Sequence, residues 1–364
     1  GKGLAARAGV LALVLLAICA PFAALAAPRQ QAPGNGPVIF VPNDGFATVT
    51  LRDASSLDVR ASAYLPTPNT SAINHSLDGS LLFLANQGFT HQLEIVDVAT
   101  QNVLASVELP FRGLSNCNAS SVLPVNENTK IYVACEGNGL VEVAHYDPLT
   151  NALVLGTPIF TGWPQSLQLV GGYVFVSDTQ HNMIKRIDPQ TDVVDVVIPH
   201  QSYIFGDAVV DPFRPYAYVV NQFGGRLLIA NTHTQAISRT LEFDGMLVDL
   251  LLAPNGDHLY VTVDGGNEHD YIAVVDGLGE AESVIATIPV GPTANFLASN
   301  DEGTCLYTWD FVDGARRVDV IDTTHHLLSA QPIVGGGDAD GDFVGPGAAI
   351  QAVYLQPDST DQNH

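Results

Sequence analysis

The chain has 364 residues, of which 46% are hydrophobic and 14% are charged, and its formal net charge at pH 7 is −24. A chain this acidic repels phosphate backbones and anionic lipid surfaces. We therefore expect the protein not to bind nucleic acid. The same acidity raises the local concentration of cations and is compatible with a divalent cation such as calcium as a cofactor, with no other cofactor indicated. The alternative, which accounts for more of the acidic residues, is that they are turn residues.

The first predicted element is a secretory signal peptide over residues 1–26. Lys2 and Arg7 precede an apolar stretch, and Ala24-Leu25-Ala26 offers small residues at the positions that a signal peptidase recognises. The segment predicts a secreted or periplasmic protein. Leu16-Ala17-Ile18-Cys19 loosely resembles a lipoprotein box, so a lipid-anchored envelope protein is the less favoured alternative. No later stretch is long and apolar enough to predict a transmembrane segment.

One domain is expected over residues 37–357, between a linker rich in Pro, Gln and Gly at 27–36 and a polar tail at 358–364. Within it, Leu81–Asn86 is a nearly continuous apolar run, and Val103–Leu109 alternates apolar and polar residues. Short runs of this kind, separated by Gly, Asn, Asp and Pro, predict β strands rather than helices.

An Asp or Asn ends a strand-like apolar run seven times, at spacings of about 41 to 50 residues, as is typical of four-stranded blades repeated around an axis. These residues are Asp53, Asp97, Asp147, Asp188, Asn231, Asp276 and Asp322. The predicted fold is an all-β, seven-bladed β-propeller of four-stranded antiparallel blades. The recurring residues are expected to form turns, because an Asp side chain accepts backbone N–H bonds two residues further on.

The two ends of the predicted domain are expected to share one blade. The first repeat begins at Val38–Val41, already at the second strand of a blade. Its first strand is expected from the C-terminal segment Ala348–Tyr354, which would complete the first blade and close the ring. Closure removes strand edges that otherwise promote aggregation. The protein is expected to be a monomer.

Three cysteines follow the predicted signal peptide. Cys117 and Cys135 flank a turn signal at 125–129, with their midpoint at residue 126. If both flanks are antiparallel strands, the two cysteines lie opposite each other, and secretion permits a disulfide between them. Cys305 lies in an apolar strand and is expected to be a buried free thiol.

The sixth repeat carries a more specific resemblance. It contains Pro254-Asn255-Gly256, Leu259-Tyr260-Val261-Thr262 and Ile288-Pro289-Val290-Gly291, and the seventh contains Val320-Ile321-Asp322. These segments resemble the consensus of the YVTN-repeat β-propeller family, also called surface-layer-like or forty-residue repeats. The resemblance extends over nearly the whole chain after the signal peptide and implies a propeller fold, but it implies no particular activity.

The loops after the second and fourth strands of each blade are expected on one face, opposite the recurring Asp residues. The candidate ligand-binding residues of that face are Asn43, Asn86, His91, Asp178, His181, Asn221, Glu268, His269 and Asp310. Polar groups that converge on an axial opening are a usual setting for ligand binding. Because exposed loops are polar regardless of function, an ordinary solvated surface is the alternative interpretation.

The segment Gly335–Asp342 alternates Asp with Gly and resembles the beginning of a calcium-binding loop. Its candidate metal ligands are Asp338, Asp340 and Asp342. The Glu that completes an EF-hand is absent from the segment, so a flexible acidic loop is the alternative.

The sequence is compatible with two function classes. The chain contains no Gly-x-Ser-x-Gly nucleophile elbow, no phosphate-binding Gly-rich loop with Lys and no Cys-x-x-Cys-His haem site. The favoured prediction is a binding or scaffold protein whose loops on one face hold a protein, a glycan or a small-molecule ligand. The alternative is a metal-dependent hydrolase or lyase that acts on a lactone-like or polar small molecule, so the sequence leaves open whether the protein is an enzyme.

Overall fold

A computed structural model describes the parts of the chain that form the repeats. The described residues are 37–43, 48–53, 59–64, 70–76, 79–86, 91–111, 116–199, 206–266, 269–292, 294–300, 303–312, 315–328, 333–335 and 351–354. The predicted signal peptide, linker and tail lie outside them, as do the candidate metal ligands Asp338, Asp340 and Asp342 and the candidate site residue Glu268.

Nearly all the regular structure in these ranges is β strand. The strands are β1 (Pro37–Asn43), β2 (Thr48–Asp53), β3 (Val59–Tyr64), β4 (Thr70–His75), β5 (Leu81–Asn86), β6 (Gln92–Asp97), β7 (Val103–Glu108), β8 (Ala119–Val125), β9 (Lys130–Cys135), β10 (Leu140–Asp147), β11 (Ala152–Leu155), β12 (Ile159–Phe160), β13 (Pro164–Val170), β14 (Tyr173–Asp178), β15 (Met183–Ile187), β16 (Val194–Ile198), β17 (Ala208–Val210), β18 (Tyr216–Asn221), β19 (Arg226–Asn231), β20 (Ala236–Glu242), β21 (Met246–Leu252), β22 (Leu259–Asp264), β23 (Tyr271–Asp276), β24 (Ser283–Pro289), β25 (Asn295–Ser299), β26 (Cys305–Val312), β27 (Ala315–Asp322), β28 (Leu327–Leu328), β29 (Ile333–Gly335) and β30 (Gln351–Tyr354). Two 3-10 helices cover Glu136–Asn138 and Gln222–Gly224.

The described strands pair into seven antiparallel sheets. Four follow the chain as simple meanders of four strands: β4–β7, β13–β16, β17–β20 and β21–β24. In two others a short fifth strand pairs with the third strand of the meander, β12 with β10 and β29 with β27. The remaining sheet has the order β3-β2-β1-β30. The prediction of an all-β chain of antiparallel four-stranded units is confirmed by this pattern.

The sheet of β1 contains strands from both ends of the described chain. Pro37 pairs with Tyr354 and Phe40 pairs with Gln351, so β30 occupies the position of a first strand beside β1. This is the C-terminal strand that the sequence predicts for the first repeat. The residues before Gln351 in the predicted segment lie outside the described ranges.

Burial differs between the strands of one sheet in the way that the apolar patterns predict. β9, a second strand, is buried along its whole length, whereas β20, a fourth strand, alternates between exposed and half-buried residues. Neighbouring sheets pack face to face: Phe83 and Ile95 of one sheet share a core cluster with Val122 and Ile131 of the next. Burial of each such side chain contributes about 1.5–3 kcal/mol.

The recurring Asp and Asn residues form the turns between third and fourth strands. The backbone N–H of Thr100 donates to Asp97 Oδ1 at 2.6 Å, and the N–H of Gln190 donates to Asp188 Oδ1 at 2.9 Å. The Thr191 hydroxyl also donates to Asp188 Oδ2 at 3.0 Å. Asp147, Asn231 and Asp322 accept backbone N–H groups in the same way. The predicted turn role is therefore confirmed for these five of the seven residues.

The same turns share a backbone feature at their last residue. The residue four positions after the Asp or Asn has a positive φ: 60° at Gln101, 55° at Asn151, 58° at Asp192, 57° at Gln235 and 54° at His326. The backbone N–H of Asp97 donates to the oxygen of Asn102 and that of Asp188 to the oxygen of Val193, so each connection is a four-residue hairpin loop that ends in the left-handed residue. The side-chain hydrogen bonds of the Asp support a conformation that an L-residue adopts only at a cost.

A disulfide joins Cys117 and Cys135, with their Cα atoms 4.5 Å apart. The pairing is the one expected, but the register differs from the expected one. Val125 pairs with Lys130 across a turn that covers residues 126–129, and after a bulge Ala119 lies opposite Cys135. Cys117 therefore precedes the strand and reaches Cys135 diagonally. Cys305 is also disulfide-bonded, so the expectation of a free thiol there is wrong.

No helix among the described residues is long and apolar enough to cross a membrane.

Candidate functional site

The ends of the second strands carry four of the predicted ligand-binding residues. Asn43, Asn86, Asp178 and Asn221 are the last residues of β1, β5, β14 and β18. Because each sheet is an antiparallel meander, the loops from fourth to first strands leave the same edge. We call it the loop edge. His91, His181 and His269 lie between second and third strands at this edge, whereas Asp310 lies inside β26, paired with Arg317.

Asp178 is fully buried and its hydrogen bonds hold its own loop together. Its Oδ2 lies 2.6 Å from Lys185 Nζ and 2.7 Å from His181 Nδ1, and its Oδ1 accepts the backbone N–H groups of Trp163 and His181. The structure therefore brings two predicted site residues, Asp178 and His181, together. It adds Lys185, which the sequence did not indicate for the site.

Other predicted residues of the loop edge are also committed to local contacts. Asn86 is buried, and its Nδ2 donates to Glu94 Oε2 at 3.1 Å. Asn221 accepts the N–H of Gly224 and so caps a 3-10 helix. His91 Nδ1 lies 3.1 Å from the backbone oxygen of Cys117. Asn86, Asp178 and Asn221 are all buried, whereas the His181 side chain is 43% exposed and His269 is exposed.

A pair of acidic residues that the sequence did not single out lies close to the loop edge, on the first strands of two successive sheets. Asp207 directly precedes β17 and its backbone oxygen accepts the N–H of Val220, the second-to-last residue of β18. Asp249 is in β21, opposite Thr262 of β22. Their carboxyl groups lie close enough for each to alter the pKa of the other. We call Asp207 and Asp249 the carboxyl pair.

Each member of the carboxyl pair is held by a different neighbouring sheet. Asp249 Oδ2 accepts the N–H of Leu297 in β25 at 2.7 Å, and its Oδ1 accepts the N–H of Leu250 at 2.8 Å. On the other side, Asp207 Oδ1 accepts the N–H of Ala208 at 2.7 Å, and Ser166 of β13 lowers the pKa of Asp207 as a hydrogen-bond donor. The pair is therefore held by backbone N–H groups of its own strands and of β25, and its carboxyl groups are buried.

Burial raises the pKa of both carboxyl groups. For Asp207, hydrogen bonds from Ser166, Ala208 and Asp249 act in the opposite direction. Burial and then the charge of Asp207 raise the pKa of Asp249 well above its usual range. Two neighbouring carboxyls cannot both be ionised cheaply, so their titrations are not independent of each other.

Hydroxyl groups surround the carboxyl pair. Ser166 Oγ lies 2.9 Å from Ser177 Oγ, which continues the hydrogen-bonded chain into β14. Thr262 lies opposite Asp249 on the same face of its sheet, and its buried Oγ1 has no hydrogen-bond partner within the described part of the chain. An unpaired buried hydroxyl costs free energy, so it is a point where a bound polar group would be stabilised.

One signal in the sequence could have located the carboxyl pair. Asp249 is the single charged residue within Met246–Leu252, an otherwise apolar strand, and an isolated charge of that kind needs a partner. Its partner Asp207 lies 42 residues earlier, in the preceding repeat. The hydrogen-bonded residues Gln168 and Val210, which also lie in neighbouring sheets, are separated by the same 42 residues. Local patterns give no access to such contacts.

Metal binding has no further support in the described residues, which contain no group of three or more His, Cys, Asp or Glu side chains arranged to hold an ion. The carboxyl pair supplies two oxygen-bearing side chains, and backbone N–H groups already occupy three of their oxygen atoms. N–H donors at these positions favour a proton or a neutral polar ligand over a hard cation.

Comparisons with known proteins identify the architecture. A protein from Bacteroides uniformis, described as a candidate 6-phosphogluconolactonase, has a TM-score of 0.66 at 15% identity and is covered in full by 88% of this chain. A protein from Lactobacillus plantarum also has a TM-score of 0.66, at 13% identity, and is covered in full by 89% of this chain. The fold is that of a β-propeller.

The likeness extends to a chain of a hydrazine synthase but remains a likeness of fold. Hydrazine synthase of Kuenenia stuttgartiensis has a TM-score of 0.57 at 19% identity, over 71% of this chain and 77% of that chain. Identities this low carry no functional assignment. No family model matches the chain, and no curated protein matches it.

Proposed function

We propose that this chain is an exported β-propeller of seven blades, built from YVTN-like repeats, which binds a polar ligand at its loop edge. The blade number is supported by the seven antiparallel sheets. Closure of the ring is supported by contacts between first strands in cyclic order, from β4 through β8, β13, β17, β21 and β25 to β30 and back to β4. Export is supported by the signal-peptide pattern of residues 1–26.

The carboxyl pair is the observation that carries the binding function. In a ring of this kind the first strands line the axial opening, so a ligand that enters from the loop edge would meet the strands that carry Asp207 and Asp249. The two carboxyl groups offer oxygen atoms, and the Thr262 hydroxyl has no hydrogen-bond partner within the described part of the chain. Such a site fits the hydroxyl groups of a glycan or of a small polar molecule better than it fits an apolar ligand.

Binding can be tested with the full chain and a panel of monosaccharides, sugar acids, sugar lactones and short oligosaccharides. We expect at least one probe to raise the melting temperature of the wild-type protein and to give binding heat in calorimetry. The shift should be lost in Asp249→Asn and kept in Asp276→Asn, the same change at an exposed turn on the opposite edge. Equal shifts in both variants would exclude the carboxyl pair as the binding site.

The second candidate function is that of a hydrolase or lyase acting on a lactone-like or polar small molecule. It is favoured by the carboxyl pair, because two acidic groups of different pKa are the usual equipment for moving protons in catalysis. The descriptions of two Bacteroides neighbours as candidate 6-phosphogluconolactonases are compatible with it. These neighbours share only 15% and 13% identity with the chain.

A calcium site at Asp338, Asp340 and Asp342 remains a separate proposal from the sequence. Calorimetry of the wild-type protein with calcium should give binding heat, and Asp340→Asn should reduce it by removing one charged oxygen ligand. The Asp276→Asn variant provides the matched control. Absence of heat in the wild-type protein would remove calcium from consideration at this segment.

A further inference from the structure

Two aromatic side chains are exposed at the loop edge, in the connection between the sheets of β10 and β13. Phe160 is 68% exposed and Trp163 is 48% exposed. Phe160 pairs with Leu140, the first residue of the third strand β10, and Trp163 directly precedes the first strand β13. Third strands and first strands both begin at the loop edge, so both residues lie there. We call Phe160 and Trp163 the aromatic platform.

The backbone that carries the aromatic platform is held by hydrogen bonds to buried groups. The Thr161 N–H donates to the backbone oxygen of Gly139 at 3.3 Å, and Lys185 Nζ donates to the Thr161 oxygen at 2.6 Å. The Trp163 N–H donates to Asp178 Oδ1 at 3.2 Å. The polar backbone groups therefore face the protein while the two rings face the solvent. This gives the buried pair of Asp178 and Lys185 a role, which is to fix the segment between the rings.

Gly162 allows the same segment to lie directly against Asp178. Its φ is 96°, and a Cβ atom at this position would overlap the Asp178 carboxylate oxygens. A Cβ atom at Gly139 would lie only 2.8 Å from the Gly162 oxygen. Both positions therefore require glycine, and the close packing that results restricts the backbone. Rings on a restricted backbone lose little conformational entropy when a ligand binds to them.

The charges near the aromatic platform favour an uncharged ligand. Lys185 is paired with Asp178, and the chain carries a net charge of −24, so anionic polymers and anionic lipid surfaces are repelled. His181, whose Nδ1 lies 2.7 Å from Asp178 Oδ2, is 43% exposed and adds a polar ring close to the Trp163 backbone. Aromatic faces beside a polar group fit a ligand that has an apolar face and hydroxyl groups.

The size of the aromatic platform fits a sugar better than a protein partner. Two aromatic side chains bury at most about 500 Å². A stable protein interface buries about 800 Å² on each partner, which is more than the two rings supply. Residues three positions apart are separated by at most about 11 Å, which is the scale of a disaccharide. A pyranose ring has C–H bonds on its faces and hydroxyl groups around its rim, so it packs on an aromatic ring while its hydroxyl groups stay hydrated.

We propose that Phe160 and Trp163 form a stacking surface for the pyranose rings of a neutral oligosaccharide. This inference rests on the proposed function, because the oligosaccharide would be the polar ligand of the loop edge. It assigns the contact to the segment between β10 and β13 instead of the strands that carry the carboxyl pair, so the two sites can be tested separately.

Binding should be measured by calorimetry with the full chain and maltohexaose, cellohexaose, laminarihexaose and chitohexaose, with hexagalacturonic acid as the anionic comparison. We expect at least one neutral hexasaccharide to bind, and to bind more tightly than hexagalacturonic acid. Trp163→Ala and Phe160→Ala should each raise its Kd by about 10-fold or more, as removal of an aromatic ring that stacks on a flat ligand does. Phe213→Ala removes a ring of 61% exposure at the opposite edge and should bind as the wild type does.

Tryptophan fluorescence provides a second measurement of the same contact. The chain contains two tryptophans, so Trp309→Phe leaves Trp163 as the only one. Acrylamide should quench the exposed Trp163 ring in the free protein, and a saturating concentration of the bound hexasaccharide should reduce that quenching. Unchanged quenching at saturation would overturn the inference.

Each way in which the inference could fail gives a different result, once circular dichroism has established that the variants are folded. Binding that is lost in Asp249→Asn but kept in Trp163→Ala and Phe160→Ala would overturn the aromatic platform and leave the proposed function intact. Binding lost in the ring variants but kept in Asp249→Asn would support the platform and contradict the carboxyl pair as the site.

Two further results would also overturn the inference. If no neutral hexasaccharide bound, the aromatic platform would have no glycan ligand, whereas the smaller sugars, sugar acids and lactones would still test the carboxyl pair. If light scattering showed a dimer that became monomeric in Trp163→Ala, a second copy of the chain would be what covers the rings.

Discussion

Lys185 Nζ lies 2.6 Å from Asp178 Oδ2 and also donates to the backbone oxygen of Thr161 at 2.6 Å. The carboxylate is fully buried and the lysine side chain is 13% exposed, so each charge depends on the other for compensation. A buried ion pair contributes little net stability when intact, but removal of one member leaves an uncompensated charge.

We therefore expect Asp178→Ala to lower the free energy of unfolding by about 3–5 kcal/mol. The loss should be visible as a shift of the urea midpoint. Asp195→Ala provides a matched control, since Asp195 pairs with Arg186 in a solvent-exposed ion pair. That variant should lose no more than about 1 kcal/mol. Equal losses in the two variants would contradict the structural role given to Asp178.

The turn residue Asp188 offers a test of the repeated hairpin connection. Asp188→Ala removes the acceptor for the Gln190 N–H and the Thr191 hydroxyl, so we expect a loss of about 1 kcal/mol in the free energy of unfolding. Asp188→Asn keeps an amide oxygen at the same place and should recover most of the loss. If alanine and asparagine were equivalent, the hydrogen bonds of Asp188 would not be what stabilises the turn.

Acidification should weaken the fold through His326. Burial, and then the positive charge of His258, lower the pKa of His326, with a smaller lowering by His325 and a raising effect from Asp322. The unfolded chain therefore binds a proton at His326 before the folded chain does. The contribution of His326 to the free energy of unfolding is fully present above about pH 6.5, the usual pKa of histidine. It is lost as the pH falls from there through the lowered pKa of the folded state.

The measurement is the free energy of unfolding at pH 7 and pH 5 for wild type and His326→Asn. Asparagine suits the positive φ of 54° at this position, so the substitution avoids backbone strain. The variant should lose less stability than the wild type over this range, whereas His233→Asn, at an exposed turn, should behave as the wild type does. An unchanged slope in His326→Asn would exclude this histidine as the source.

The Cys117–Cys135 disulfide closes a loop with a sequence separation of 18 residues. A loop of that length predicts a stabilisation of about 3 kcal/mol, chiefly through restriction of the unfolded chain. The double variant Cys117→Ala/Cys135→Ala should lower the free energy of unfolding by about that amount when both proteins are measured in the same non-reducing buffer. Unchanged stability would show that the bond does not restrict the unfolded state.

Deletion of residues 345–364 removes β30, the partner of β1, and exposes the edge of that strand. We expect insoluble or rapidly proteolysed protein, since an unpaired strand edge promotes association between chains. Deletion of 358–364 alone leaves β30 in place and should give a soluble protein with cooperative unfolding. A soluble and cooperative 345–364 deletion would contradict the proposed closure of the ring.

The sequence predicted the strands, their antiparallel order and the turn role of the recurring Asp residues because all three depend on local patterns. The alternation in the fourth strand and the hydrogen bonds of Asp188 are decided within a few residues of chain. The diagonal reach of Cys117 could not be predicted, because it depends on a single-residue bulge near Ala119 that shifts the register.

The same local patterns predicted the loop edge. They did not predict which side chains at this edge are buried and which are paired. Asp178 looked like a ligand-binding residue because it ends a second strand, and its burial beside Lys185 became visible only in three dimensions. Asp207 and Asp249 become a pair through contact between first strands of successive sheets. Such contacts join residues that lie one repeat apart. The hydrophobic pattern within a single repeat therefore does not predict them.

The pairing of Pro37 with Tyr354 also fixes how the protein would be presented if it were attached to a support. β1 runs from Pro37 to the loop edge at Asn43, so the chain enters and leaves the first sheet at the opposite edge. A tether joined at Pro37 or Tyr354 would therefore lie at the edge opposite the loop edge and would leave the loop edge facing the solution.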